Sequence, residues 1–421
     1  MTRTLVVRRA GTLVTLDGPA PRRGAALRVL GAVTNGALVA RDGRIAWLGR
    51  ERELSAAIVP ERDAVELDAA GGAVLPGFVD AHTHLAFAGD RDDEIRRRLA
   101  GATYAEIAAE GGGIVRSVDA TRAASTDELA RAIAQRLDEM LLQGTTTAEV
   151  KSGYGLDTAS ESRSLTAIHE AGRRHPVAVV PTFLGAHEVP VEYRADRDAY
   201  LRLLVDEAIP QVAAAGLAEF CDVFCERGVF SVEESARVLA SARRHGLKLR
   251  VHADELADTG GAALAAGVGA RSADHLLHVS ADGVRALAAS ATVAVLLPSA
   301  AFYLRAGRYA PARALIEAGA TVALGTDVNP GAGLSPSMPF AMAAACFGMG
   351  MSLEEAIAAA TLNAAVSLDR EHEVGSLAVG KRADLVVLRS GRLLELLRVG
   401  VPAIRAVLKD GRVVVRDGRR V

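Results

Sequence analysis

Between about Pro76 and Ala365 the sequence repeats one unit, a short apolar run followed by a stretch with helical periodicity. The runs cover 73–79, 145–151, 177–183, 218–225, 247–251, 271–276, 292–297 and 321–325. Short runs that are apolar on both faces and alternate with helices are the pattern of buried parallel strands joined by crossovers. Helices are expected over 126–143, 158–174, 196–215, 232–244 and 256–266, and Ser231-x-x-Glu234 and Ser352-x-x-Glu355 read as capping boxes at helix starts. Eight strand–helix units favour an α/β chain closed into a (β/α)8 TIM barrel over an open sheet. The exception is 86–125, a long segment without obvious structure that carries Gly111-Gly112-Gly113. Such segments often serve as active-site lids.

The two ends read differently. Residues 4–16 and 36–48 alternate apolar and polar side chains around Asp42-Gly43, and 383–388 and 403–415 do so around Asp410-Gly411. Asp-Gly between alternating segments is a strong hairpin signal. The likeness of ARDGRIAWLG to LKDGRVVVRDG suggests strands of one small sheet built by both termini. The expected division is a composite β module from residues 1–75 and 366–421, with the barrel over 76–365.

Composition bounds the function. In 421 residues, half are hydrophobic, 24% are charged and the net charge is -2. That balance excludes a disordered chain and argues against nucleic-acid binding driven by bulk charge. Cys221 and Cys225 share one expected strand, which separates them by roughly 13 Å, too far for a disulfide. Reduced thiols and an N-terminus without an apolar core of signal-peptide length point to the cytoplasm. The longest uncharged stretch, 335–353, contains Pro336, Pro339, Gly348 and Gly350 and fails as a membrane span. A buried helix or a subunit contact is its better use, and a homodimer is expected.

In such a barrel, chemistry collects where strands end at the C-terminal face. Reading off those ends gives His82-Thr83-His84, Lys151, His187, Glu226, His252 with Glu255 three residues on, His275 and, after the eighth run, Asp327. Five of the ten histidines thus fall on one rim. His82 and His84 are two apart, so in a strand both rings project from one face and can grip one metal. A lone His-x-His is a weak signal, since a hydrogen-bonded pair at a strand end gives the same letters. With His252 and Asp327 added it becomes an N3O set suited to Zn2+ or Fe2+, and four such residues on one rim are hard to attribute to packing. Asp327 can also accept a proton from water, unless it only caps the turn before Asn329-Pro330-Gly331. Glu255 can pass a proton to a leaving nitrogen, unless it is ordinary first-turn acidic bias of a helix over 254–266. His275 can polarise a substrate carbonyl. His169, His175, His245, His278 and His372 read as capping or exposed residues, Arg96-Arg97-Arg98 as a solvated helix face, and Met342, Met349 and Met351 as packing.

The run Pro76-Gly77-Phe78-Val79-Asp80-Ala81-His82-Thr83-His84 resembles the first-strand signature of the amidohydrolase superfamily, and the chain is similar to its imidazolonepropionase family. The matching runs are HTHLAFAGDR, LAGATYAEIAAEGGGIV, EVKSGYGLD, FLGAHEVP, VHADE, ADHLLH and GTDVNPG, in order over about 76–333. KSGYGLD together with GGGIV is far more specific than His-x-His. The resemblance implies a small β-sandwich beside the barrel, and hydrolysis of the ring C–N amide bond of 4-imidazolone-5-propanoate (imidazolonepropionate) to N-formimidoyl-L-glutamate in histidine degradation. It implies one Zn2+ or Fe3+ on His82, His84, His252 and Asp327, and substrate contacts from Arg91, Tyr154, His187, Glu255, Asn329 and Gly331. The family's next position is a small hydroxyl residue. Here it is Ala332, where a backbone N–H would have to replace the lost hydrogen bond. Relatives that bridge two metals carry a carboxylated lysine at the end of strand four; that position is Glu226 here and Lys151 belongs to strand two, which implies a mononuclear site.

The substrate's chemistry fits these residues. The planar fork of Arg91 suits a propionate carboxylate, unless it pairs with Asp90, Asp92 or Asp93. Tyr154, between Gly153 and Gly155, and His187 offer donors near the ring. In the implied mechanism water activated at the metal attacks the ring carbonyl and Asp327 or Glu255 takes its proton. His275 or His187 then helps to stabilise the oxyanion, and Glu255 protonates the ring nitrogen. Three rivals remain: a metal-dependent deaminase of a heterocyclic base, a dinuclear dihydropyrimidinase-like hydrolase, and a non-catalytic scaffold on a decayed barrel.

Overall fold

The computed structural model describes residues 4–58, 64–102, 106–107 and 110–421. The N-terminal alternation folds as β1 (Thr4–Val14), β2 (Ala32–Arg41) and β3 (Arg44–Arg50), then β4 (Val65–Asp68) and β5 (Ala73–Pro76). Asp42 and Gly43 both take positive φ, 49° and 80°, as a two-residue hairpin with the right twist requires. The apolar runs of the middle form β6 (Phe78–Asp80), β7 (Thr145–Lys151), β8 (Ala178–Ala186) and β9 (Phe220–Cys225). They continue as β10 (Lys248–Ala253), β11 (Ser272–His275), β12 (Val293–Leu296) and β13 (Thr321–Leu324). The C-terminal segment adds β14 (Leu385–Leu388), β15 (Ile404–Lys409), β16 (Arg412–Arg416) and β17 (Arg419–Arg420).

Strands β6 to β13 lie in chain order in one eight-stranded parallel sheet. Just beyond the strands its two ends meet: the Asp327 N–H donates to the His82 carbonyl at 3.0 Å and the His84 N–H to the Val328 carbonyl at 2.8 Å. The result is the nearly closed (β/α)8 barrel expected. Strands β1 to β5 and β14 to β17 form a second, nine-stranded sheet. It curls so that Leu5, Leu13 and Leu38 from the N-terminal half share one apolar core with Leu385, Val387 and Leu408 from the C-terminal half. Both termini therefore build the small β layer.

Four expectations need correction. The single strand read over 73–79 is two strands in different sheets, with β5 on β1 and β14 and β6 on β7. Gly77 makes the switch: its N–H donates to the Asp384 carbonyl, and a Cβ there would lie 2.3 Å from Thr146 Oγ1. The segment 86–125 is not structureless, for it holds helices Asp92–Leu99 and Ile114–Ala123. The first has acidic residues in its opening turn and arginines in its last, an order that favours a helix through its dipole. The LAGATYAEIAAEGGGIV run lies partly outside the described residues, at 103–105 and 108–109.

The helix over 196–215 is interrupted by a π-helical stretch, Leu203–Ala208. Pro210, two residues beyond it, cannot donate the backbone hydrogen bond that a regular helix needs there. The helix read over 256–266 begins only at Gly261. Asp254, with φ of 52°, turns the chain and accepts from the N–H groups of Thr259, Gly261 and Ala262 at 3.0 Å each. The helix start is thus capped from seven residues upstream, and Glu255 stands in a loop. Residues 335–353 carry the helix Met338–Met349, with Met342 and Met349 buried as packing. Among the described residues no helix is long and apolar enough to cross a membrane.

Candidate active site

The strand ends do converge. His82 and His84 lie just past β6 rather than within it, yet their Nε2 atoms are 3.1 Å apart, and His252 Nε2 from the end of β10 is 3.3 Å from His84 Nε2. Asp327 Oδ1, after β13, is 3.5 Å from both His82 Nε2 and His84 Nε2. Donors about 2.1 Å from one tetrahedral cation stand about 3.4 Å from each other, so His82, His84 and Asp327 form a group that could hold a metal ion, with His252 beside it.

Two of the rings have carboxylates behind them. His82 Nδ1 is 2.6 Å from Asp274 Oδ2 and His252 Nδ1 is 3.1 Å from Asp222 Oδ2. The Asp274 hydrogen bond holds the proton of His82 on Nδ1 and leaves its Nε2 lone pair free for a ligand, while Asp222 lies within ion-pair distance of His252. Asp327 Oδ1 is buried with no hydrogen-bond partner among the described residues, an orphan that a cation would satisfy. Burial holds His82 and His84 well below the ordinary histidine pKa, with Lys151 and neighbouring histidines adding to the effect, so the rings are neutral and able to ligate. Burial also pushes Asp327 up to about 7, against the pull of His252.

Around this point lies a small cavity of about 50 Å3, lined by Arg91, Tyr154, His187, Glu255, His275, Asn329 and Ala332 among others. Of the residues expected to contact substrate, Arg91, Tyr154, His187, Glu255, Asn329 and Ala332 line this cavity, whereas Gly331 lies behind Arg91. His187 stacks on His84 with ring centroids 5.0 Å apart, and Tyr154 meets His187 edge-on at 5.3 Å. Glu161, buried at the start of the helix Thr158–Arg174, shapes the Tyr154 loop. It accepts from the N–H groups of Gly153, Gly155 and Leu156 at 2.9, 2.7 and 2.9 Å. His187 Nδ1 donates to the Gly153 carbonyl at 2.9 Å and burial lowers its pKa to about 3. The ring is neutral, with its Nε2 free to accept a hydrogen bond.

His275 has φ of 75°, a strained conformation for a residue with a side chain, and its Nδ1 is 3.5 Å from Glu255 Oε1. Burial, with Asp327 and Glu226 nearby, raises the Glu255 pKa well above the ordinary glutamate value. Glu226 accepts from the Leu256 N–H at 2.8 Å and so fixes the loop that presents Glu255.

Arg91 is buried, and its Nε donates to Glu94 Oε2 at 2.8 Å rather than to Asp90, Asp92 or Asp93. The second oxygen of Glu94 accepts from the Gly113 N–H, tying the arginine to the triple-glycine turn. Its guanidinium covers Gly331 so closely that a Cβ there would lie 2.3 Å from Arg91 Cζ. Arg98 also departs from the expected solvated face. It is buried and donates to the Gly331 carbonyl at 2.8 Å and the Tyr303 carbonyl at 3.1 Å. The backbone N–H proposed to stand in at Ala332 is already engaged: Asn329 Oδ1 accepts from Gly331 N at 2.9 Å and Ala332 N at 2.6 Å.

Sequence reasoning missed the charged layer beneath the histidines. Asp222, Asp274, Glu149 and Arg250 are fully buried inside the barrel, and Lys151, read as a rim residue, lies with them. The available signal was a charged residue inside an otherwise apolar strand, as in FCDVFC of β9 and KLRVHA of β10.

Comparison with known proteins places these features. The model of the amidohydrolase family matches residues 73–421. An imidazolonepropionase of Symbiobacterium thermophilum is 53% identical over 99% of this chain and 98% of its own length. One from a Geobacillus species is 47% identical over 99% of both chains, and one from Parabacteroides distasonis is 46% identical over 97% and 98%. Among solved structures, E. coli guanine deaminase superposes with a TM-score of 0.75 at 17% identity, covering 98% of this chain and 99% of that one. An adenosine deaminase from Xanthomonas campestris with bound zinc gives 0.71 at 18%, covering 99% and 94%. At such identities the likeness is one of fold alone.

Proposed function

The chain belongs to the amidohydrolase family and, within it, to the imidazolonepropionases, and from that premise we propose how its cavity does the work. It hydrolyses the ring C–N amide bond of 4-imidazolone-5-propanoate to N-formimidoyl-L-glutamate, a reaction of histidine degradation. The observation that supports the site assignment is the cluster beside the cavity: the donor atoms of His82, His84 and Asp327 lie 3.1 to 3.5 Å apart, and His252 Nε2 is 3.3 Å from His84 Nε2.

His82, His84, His252 and Asp327 hold one Zn2+ or Fe3+, which when bound supplies a Lewis acid that polarises a carbonyl and acidifies water. The remaining work falls to side chains. Arg91, braced by Glu94, binds the propionate carboxylate and orients the ring. His187, with its proton held on Nδ1 by Gly153, accepts from a ring N–H, and Tyr154 borders the same edge. Glu255 or Asp327 takes a proton from the attacking water as its oxygen bonds to the ring carbonyl carbon. His275 stabilises the oxyanion. Glu255 then protonates the ring nitrogen, the C–N bond breaks, and the carbonyl leaves as a carboxylate. Asn329 shapes the loop that presents Gly331 and Ala332 and has capacity for one further hydrogen bond through Nδ2.

The module boundaries at 75/76 and 365/366 and a cytoplasmic location complete this reading. So does a homodimer. Phe302, Phe340, Val399 and Val401 line one groove, and Phe347, seven residues along the same helix from Phe340, is 83% exposed. Solvent-facing aromatic and branched side chains gathered in this way suit a second copy of the chain.

The deciding assay presents purified protein with imidazolonepropionate and, separately, with amino-substituted heterocycles. Loss of imidazolonepropionate absorbance without ammonia release is expected. Ammonia release from a heterocyclic amine, with imidazolonepropionate untouched, would select the deaminase reading instead.

A further inference from the structure

Lys151 has no part in the chemistry above, yet it sits at the centre of the buried charged layer. Its Nζ is 2.7 Å from Glu149 Oε1, 2.8 Å from Asp222 Oδ2 and 3.9 Å from Asp274 Oδ2, and none of these four side chains is exposed. Each carboxylate it touches also reaches a ligand segment. Asp222 Oδ2 is 3.1 Å from His252 Nδ1, while its Oδ1 accepts from the Val223 N–H at 2.8 Å. Glu149 Oε2 accepts from the N–H of Thr83, the residue between His82 and His84, at 3.1 Å, and the Glu149 carbonyl accepts from Thr83 Oγ1 at 2.6 Å. One ammonium therefore braces the carboxylate behind His252 and the one that fixes the His82–His84 segment.

We propose that Lys151 is a positioning residue of the metal centre, an ammonium that locks Asp222 and Glu149 so that imidazoles from two separate strand ends aim at one point. The proposal rests on the reading of His82, His84, His252 and Asp327 as the ligand set. The charges fit the role. Asp222, Asp274 and Glu149 face Lys151 and Arg250, and Arg250 Nη2 is 3.2 Å from Asp274 Oδ2. Three carboxylates against two cations leave one negative charge directly beneath the imidazoles, where it favours a cation above them. Burial alone would lower the Lys151 pKa, but Asp222 and Glu149 outweigh it and raise it, so the side chain stays charged.

The same contacts oppose a carboxylated Lys151 bridging a second metal. A carbamate would set a new negative charge against two carboxylates already at hydrogen-bond distance, with no room for the donors they accept from. In a dry interior an unbraced Asp222 would repel Glu149 and Asp274 and swing or take up a proton, and His252 would lose the partner that fixes its ring. Loss of the group that orients a ligating histidine weakens metal binding by about 10–100-fold.

The test measures the Zn2+ dissociation constant of the full-length protein by competition with a chromophoric chelator, beside the thermal midpoint of the metal-free form. Lys151→Met and Asp222→Asn are each expected to bind Zn2+ about 10–100-fold more weakly than the parent protein. The double variant Glu149→Gln with Lys151→Met removes one charge of each sign, so its thermal midpoint should recover while its Zn2+ affinity stays low. Recovery of parental affinity in the double variant, or parental affinity in Lys151→Met, would overturn the proposal by reducing Lys151 to charge balance. If the lysine variants do not fold, unchanged affinity in Asp222→Asn overturns it alone. A parent protein that takes up no Zn2+ at all would instead refute the ligand reading on which the proposal stands.

Discussion

At the scale of single residues, Glu255 is the proton carrier of the proposed reaction. Its side chain is 11% exposed, lies 3.5 Å from His275, and is presented by a loop that Glu226 holds. Glu255→Gln keeps the volume and removes the proton carrier, so turnover should fall by about 10²–10⁴-fold while metal content is unchanged. Loss of imidazolonepropionate absorbance and elemental analysis of the same sample check both halves; undiminished turnover would remove Glu255 from the mechanism. The clustering of His82, His84, His252, His275 and Asp327 was legible because strand ends in a barrel meet at one mouth, so letters far apart in sequence are forced together. The layer below was not. Asp222, Asp274 and Glu149 sit inside strands, where an apolar run hides which face each side chain takes, and only three-dimensional pairing reveals their partners. Arg98 misled for the opposite reason: a run of three arginines reads as solvated, although one of them turns inward to two carbonyls.

At the scale of elements, most strands and helices followed from periodicity, and the failures have local causes. The run 73–79 is continuous in hydrophobicity but passes from one sheet to another at Gly77, a change that periodicity cannot register. Gly77→Ala would press its Cβ against the stiff, buried Thr146 side chain and should cost about 1–3 kcal/mol. Gly267→Ala, at the end of a helix with nothing within 4 Å of the added carbon, should be neutral or stabilising. Denaturant titration of both proteins separates close approach from loss of backbone freedom.

A second element-level prediction concerns Glu355, which caps the helix Leu353–Ala359 and is bridged by Arg313 at 2.9 Å and Arg28 at 2.9 Å. Burial would raise its pKa, but Arg313, the Ser352 N–H and Arg28 outweigh burial and lower it. A carboxyl depressed in the folded state stabilises above its unfolded pKa and loses that contribution as pH falls through its folded value. Arg313→Met should therefore destabilise by about 1 kcal/mol at pH 7, and the difference should shrink in acid below the ordinary glutamate range. A difference that stays constant into strong acid would show that the loss is one of packing.

At the scale of the whole molecule, the barrel brings the ligands together and the curled nine-stranded sheet joins the two ends of the chain beside it. The exposed apolar groove between the helix Met338–Met349 and the segment around Val399 calls for cover. Light scattering of the intact protein should give twice the chain mass, and Phe347→Asp should shift it toward the monomer; a parent protein already monomeric would dismiss the dimer. The claim on which everything else depends is that four side chains from three strand ends share one cation. Anomalous diffraction from crystals of zinc-loaded protein tests it most directly. One peak is expected, about 2.1 Å from the Nε2 atoms of His82, His84 and His252 and from Asp327 Oδ1. Two peaks, or a single one away from those atoms, would contradict it.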